Sequence, residues 1–336
     1  MRVLRNTLFG LFLVIPAVGF GANCNVTSVG LTPITDFGAG ETYLGFEGGL
    51  YPGEANVRPA AHDAAGLARA QAIQPLDANG NPDPNGSYVL VSIGMSNTNQ
   101  EFGNSFVPLA NADPDKDPNL VIVNGAQGGQ SARVIVDPNA AFWSTIEDRL
   151  ASNGVTPEQV AVAWVKQANQ ANNADEAAYR TELQSDLEEI ARILKDKYPN
   201  IQLAYYSSRI YAGYADTDLN PEPYAYDSGF TVKWAIEKQI DGDPSLSLDD
   251  GTAPWLSWGP YMWADGLIPR GDGLTWACDE LAGDGTHPSN LGTDKVANLL
   301  LDFFKTDTTA REWYLTSPGA APDTIAPAGP TNLTVE

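Results

Sequence analysis

Four short, almost unbroken apolar runs punctuate the chain, at 88–93 (Tyr-Val-Leu-Val-Ser-Ile), 120–123 (Leu-Val-Ile-Val), 160–165 and 201–206. Runs of this length without polar alternation suit strands covered on both faces, as in a parallel sheet lying between helical layers. After the third run, Leu183, Leu187, Ile190, Leu194 and Tyr198 recur at steps of three and four, with Glu188 and Arg192 four apart on the polar side. That spacing predicts an amphipathic crossover helix over 175–198. Val296, Leu299, Leu300, Phe303 and Phe304 predict a closing helix over 290–304. The alternation of strand and helix patterns predicts an α/β protein, a three-layer α/β/α sandwich around a central parallel sheet, with its chemistry at the carboxyl ends of the strands. The stretch 211–285 has weak periodicity apart from a helix expected around 230–239. It reads as a large aromatic-rich insertion near the site.

Charge narrows the partners. Against 42 Asp+Glu stand only 19 Lys+Arg in 336 residues, a formal net charge of −23, which repels nucleic acid and other polyanions. Two cysteines and two histidines are too few for a zinc site built on those ligands, so no metal or cofactor is expected. At the start, Arg2 and Arg5 precede an apolar run over 8–18 and the small residues Gly19, Gly21 and Ala22. This predicts a secretory signal peptide over 1–22, too short for a membrane anchor, and a secreted or periplasmic protein without stable membrane insertion. The Pro/Ala/Gly-rich end, 317–336, reads as a linker whose last residues resemble the start of a fibronectin type III-like module, the alternative being a frayed tail, which leaves 23–316 as the principal domain. Cys24 and Cys278, the only cysteines, are expected to form a disulfide after export.

Two segments carry the candidate chemistry. Ile93-Gly94-Met95-Ser96-Asn97 follows the first strand run, and Asp284-Gly285-Thr286-His287-Pro288 precedes the last helix pattern. A serine at a strand end can sit exposed over the sheet, where an imidazole takes its proton as it attacks a carbonyl. Asp284, three residues before His287, can accept from one ring nitrogen and leave the other facing Ser96. The other histidine, His62, has only Asp63 nearby and reads as structural.

On these segments the chain resembles the SGNH (GDSL-type) hydrolases. Gly94-Met95-Ser96 is similar to the first block of that family, with Met95 replacing its middle residue, and Asp284-x-x-His287-Pro288 is similar to the last. Asn124-Gly125-Ala126-Gln127-Gly128-Gly129 resembles the second block and Val165-Lys166-Gln167-Ala168-Asn169 the third, with Gln167 where the family usually has glycine. The resemblance implies the SGNH, flavodoxin-like fold and a Ser96–His287–Asp284 triad. It also implies an oxyanion hole made of the Ser96 and Gly129 N–H groups and the Asn169 amide, each donor worth about 2.7–4 kcal/mol in the transition state.

The activity this implies is that of a cofactor-free serine esterase removing short acyl groups such as acetyl. Carbohydrate is the expected alcohol side, on the strength of Trp255, Trp258, Trp263 and Trp276, with Tyr261, Asp265, Arg270 and Asp272 nearby. Gln127, Trp255, Trp258 and Trp263 are the candidate substrate contacts. The alternatives are a lipase or phospholipase with the same chemistry, and a non-catalytic surface module displaying aromatic loops to glycans.

Overall fold

The computed structural model describes residues 21–170 and 175–317, so most of the expected signal segment and almost all of the linker lie outside the described residues. Five parallel strands form the central sheet: β1 (Tyr88–Gly94), β2 (Leu120–Val123), β3 (Val160–Lys166), β4 (Leu203–Tyr206) and β5 (Trp255–Trp258). Their spatial order is 2-1-3-4-5. Every residue of β1 and β3 is buried, which is why their sequences run apolar without alternation.

Neighbouring residues of β4 show the layering. Tyr205 packs edge-on against Phe303 and Phe304 of α6 (Asn290–Thr306), whereas the hydroxyl of Tyr206, pointing the opposite way, donates to Leu187 O of α4 (Glu176–Lys197). On the α6 side lie α1 (Ala60–Gln71) and α2, which runs over 96–111; on the α4 side lie α3 (Ala141–Ser152) and α5 (Tyr224–Ile240). The crossover helix α4 starts where Asp175 accepts from the N–H groups of Ala177 and Ala178, and ends in Lys195 and Lys197 beside its carbonyl terminus. Leu183, Leu187, Ile190 and Leu194 are buried as their spacing requires, each contributing about 1.5–3 kcal/mol. Glu188 departs from the expected polar face. It turns inward to meet Lys238 of α5 at 2.6 Å.

Segment 211–285 supplies both α5 and the edge strand β5, so the central scaffold runs through it, between irregular stretches at 211–223, 241–254 and from Gly259 onward. Its tryptophans are structural. Trp255 is fully buried, stacked on His62 with ring centroids 5.0 Å apart and donating to His62 O. A Cβ on Gly66 of α1 would meet the same indole at 2.3 Å, so glycine there lets the helix close on β5. Trp258, 2% exposed, donates to Leu50 O, and fully buried Trp263 donates to Glu222 Oε1 at 2.8 Å. Each indole N–H has found an acceptor within the fold, which frees the ring to fill the core rather than face solvent. His62 donates from Nε2 to Leu256 O, and burial pushes its pKa down.

Candidate active site

The 2-1-3 strand order places a crevice at the carboxyl ends of β1 and β3, where the direction of winding reverses. β1 ends at Gly94, Met95 stays extended, and Ser96 is the first residue of α2. Its N–H is one of those a helix start leaves without an intrahelical partner, and it points with the positive end of the helix dipole. The helix opens in α geometry over Ser96–Thr98, widens into a π-helix over Asn99–Phe106 and returns to α over Val107–Asn111.

Ser96 and His287 come from positions 191 residues apart, and the fold brings Ser96 Oγ to 2.8 Å from His287 Nε2. On the other side of the ring, His287 Nδ1 lies 2.6 Å from Asp284 Oδ2. A carboxylate only accepts, so Nδ1 carries the proton and Nε2 is left to receive one from the Ser96 hydroxyl. The second oxygen of Asp284 accepts from the backbone N–H groups of Thr286 and His287, both at 3.0 Å. Burial alone raises the Asp284 carboxyl, but the His287 N–H, the imidazole and the Thr286 N–H outweigh it and hold the group below its ordinary pKa. It stays ionised, as an acceptor for the ring must.

The histidine loop is braced from three directions. Asn97, next to the serine, donates from Nδ2 to Thr286 O at 2.9 Å, and the hydroxyls of Thr286 and Thr217 meet at 2.9 Å. Ala22 N–H donates to Gly283 O, and the Cys24–Cys278 disulfide joins that N-terminal segment to the turn before the loop. Gly285, at φ +64°, sits where a Cβ would lie 2.2 Å from Tyr214 O, so only glycine fits between Asp284 and His287 at this approach.

The expected oxyanion and substrate groups fare differently. In the glycine turn after β2, Gly129 takes φ +75° and a Cβ there would touch nothing within 4 Å. A Cβ at Gly128 would face Ser96 Cβ at 3.9 Å, so it is Gly128 that stands opposite the serine. Asn169 is fully buried; its Nδ2 donates to Asp186 Oδ2 at 2.6 Å and its Oδ1 accepts from Arg133 N–H at 2.8 Å. Its Oδ1 and one Nδ2 hydrogen join the loop after β3 to α4 in a fully buried position, unlike the free oxyanion donor that the resemblance implies. Half-buried Gln127 donates its NH2 to the carbonyls of Gly125 and Phe142, and Trp255, Trp258 and Trp263 are buried as described, so the three tryptophans form no substrate surface. Asn97, Thr217 and Thr286 brace the histidine loop without having been given a role from the sequence; Asn97, adjacent to Ser96, carried the most legible signal. Among the described residues, no group of three or more His, Cys, Asp or Glu side chains is gathered to hold a metal ion. No described helix is long and apolar enough to cross a membrane.

The loops carrying the four sequence blocks meet at one end of a parallel sheet ordered 2-1-3-4-5, in a three-layer α/β/α fold. No family model and no curated protein matches the chain. Among solved structures it is similar to a provisionally named SGNH hydrolase from Slackia heliotrinireducens, with 17% identity over 65% of this chain and 98% of that one, TM-score 0.35. A GDSL-like lipase from Bacteroides thetaiotaomicron gives 10% identity over 72% and 95%, TM-score 0.33. A Bacillus subtilis protein gives 13% identity over 67% of this chain, TM-score 0.37, and the chain spans 58% of that protein's length.

Proposed function

We propose that the protein is an exported serine ester hydrolase of the SGNH type that cleaves short acyl esters, acetyl among them, through an acyl-enzyme. The observation that carries this reading is the continuous relay Ser96 Oγ, His287 Nε2, His287 Nδ1, Asp284 Oδ2, with contacts of 2.8 and 2.6 Å.

In the proposed cycle, Ser96 Oγ attacks the ester carbonyl carbon as its proton passes to His287 Nε2, giving a tetrahedral oxyanion and an imidazolium stabilised by Asp284. The Ser96 N–H and the Gly128–Gly129 turn receive the oxyanion. As the intermediate collapses, the carbon–oxygen bond to the alcohol breaks and His287 Nε2–H protonates the leaving alkoxide, which leaves the acyl group on Ser96. Water then attacks that ester, giving its proton to His287, and a second collapse releases the acid and returns the proton to Ser96. No metal or cofactor takes part.

Export is supported by the leader-like pattern over 1–22 and by a disulfide whose first cysteine follows it at once, since disulfides persist in oxidising compartments. The carbohydrate alcohol expected from the tryptophans loses their support, because the rings are buried. Hydrolysis of p-nitrophenyl acetate by the wild type and by Ser96→Ala tests the reaction class. Turnover by the wild type and less than about a tenth of it in the variant is expected; equal rates exclude Ser96 as the nucleophile. A panel of acetylated sugars and of aryl esters of increasing chain length then separates a carbohydrate esterase from a lipolytic enzyme.

A further inference from the structure

Beneath the relay lies an ion pair that the reaction cycle does not use. Lys166 is the last residue of β3, paired in register with Gly94 of β1, and Glu101 lies in the π-helical stretch of α2, just past the serine. Both side chains are fully buried, and Lys166 Nζ is 2.5 Å from each oxygen of Glu101. The backbone carbonyl of Lys166 also accepts the Thr98 hydroxyl, at 2.8 Å. One residue thus holds the helix at two points, with its carbonyl and with its ammonium. Gly94 permits the approach, since a Cβ there would lie 2.2 Å from Thr98 Oγ1, and Phe102 stacks on Trp164 of the same strand at 5.5 Å.

Apolar contact lets a helix slide or rotate at small cost, whereas a buried charge pair has one satisfactory geometry and strongly resists losing it. The first two turns of α2 are gripped from β3 through Thr98 and Glu101, and from the histidine loop through Asn97. We propose that Lys166 is a positioning residue for the hydrolysis described above, clamping α2 so that Ser96 Oγ stays within hydrogen-bond reach of His287 Nε2. The clamp rests on the serine-hydrolase reading. A misplacement of about 1 Å in such a relay can cost about a hundredfold in rate.

The pair Lys166→Met with Glu101→Gln removes both charges of the clamp together; because buried Arg209 also faces Glu101, Thr98→Val, which changes no charge, serves as the second variant. Thr98→Val removes only the bond to the Lys166 carbonyl and keeps the side-chain shape. With p-nitrophenyl acetate, the charge-free pair is expected to lose at least about tenfold in kcat while KM stays within about twofold, and Thr98→Val to lose several-fold in the same sense. A folded charge-free pair with wild-type kcat overturns the clamp. If that pair does not fold, an unchanged kcat in Thr98→Val overturns it instead. Failure of the underlying reading looks different: the wild type itself would then neither turn over the ester nor react with a fluorophosphonate.

Discussion

Asn169→Ala separates two roles for one residue. As an oxyanion donor Asn169 would matter mainly in the transition state, and its loss would cost about 2.7–4 kcal/mol in the barrier, a rate loss of about 10²–10³, with little change in stability. The structure instead gives it a bond to the Asp186 carboxylate and one from Arg133 N–H, Asn169 itself being fully buried. Truncation leaves a carboxylate already pushed up to about 6 by burial without its donor, and a backbone N–H without its acceptor. At about 1–3 kcal/mol for each of the two orphaned groups, the expected loss of stability is about 2–6 kcal/mol, with kcat in the still-folded fraction reduced less than about tenfold. Urea unfolding read by tryptophan fluorescence, alongside kcat at low temperature, measures both quantities. Asn169→Asp adds a check. It sets a second carboxyl against Asp186, so the variant should be stable near pH 5, where the two share a proton, and lose stability by pH 8. An unchanged unfolding midpoint in Asn169→Ala, with a hundredfold fall in kcat, would refute the structural role and restore the oxyanion one.

Three further outcomes follow from the geometry. Replacing Cys24 and Cys278 by serine opens a loop of sequence separation 254 and should lower stability by about 2–5 kcal/mol, read as a fall in the melting midpoint that reductant reproduces in the wild type; midpoints insensitive to reductant would count against the bridge. Gly285→Ala forces a side chain against Tyr214 O at positive φ, so kcat should fall at least about tenfold as His287 shifts, and a normal kcat would show that the loop tolerates the displacement. Glu222 is pushed up from 4.5 to about 7, by burial above all, so between those values the folded state binds more protons than the unfolded one and stability falls as pH rises. Glu222→Gln should remove a slope of about 3 kcal/mol across that window in urea titrations, and a variant with the wild-type slope would contradict the assignment.

The parts of the fold legible in the sequence were those whose surroundings leave a periodic mark. Strands β1 and β3 are buried on both faces and read as apolar runs, and α4 and α6 carry one buried stripe each. Strand β5 escaped notice because it has four residues, Trp-Leu-Ser-Trp, in a loop-rich segment where two tryptophans suggest a binding surface as readily as a core. Helix α1 is rich in alanine, and α2 departs from the 3.6-residue repeat in its π-helical stretch, so neither gives a clean stripe. In the candidate site, Ser96, Asp284 and His287, which the structure brings into contact, were legible because their residue types and spacing suggest a role. Asn169, Gln127 and the tryptophans were ambiguous because an amide or an indole serves a buried scaffold as well as a ligand, and their partners at Asp186, Phe142 and Glu222 appear only in the structure. Lys166 was visible only as an odd charge at the end of an apolar run; its partner is 65 residues away.

The central claim is that His287 makes Ser96 a nucleophile, and stoichiometric labelling with a fluorophosphonate tests it most directly. The account predicts one phosphonyl adduct per chain, located on Ser96 by mass spectrometry of its peptide, absent in Ser96→Ala and slowed by at least about a hundredfold in His287→Ala. A wild-type protein that stays unlabelled, or one labelled at the same rate without His287, would contradict it.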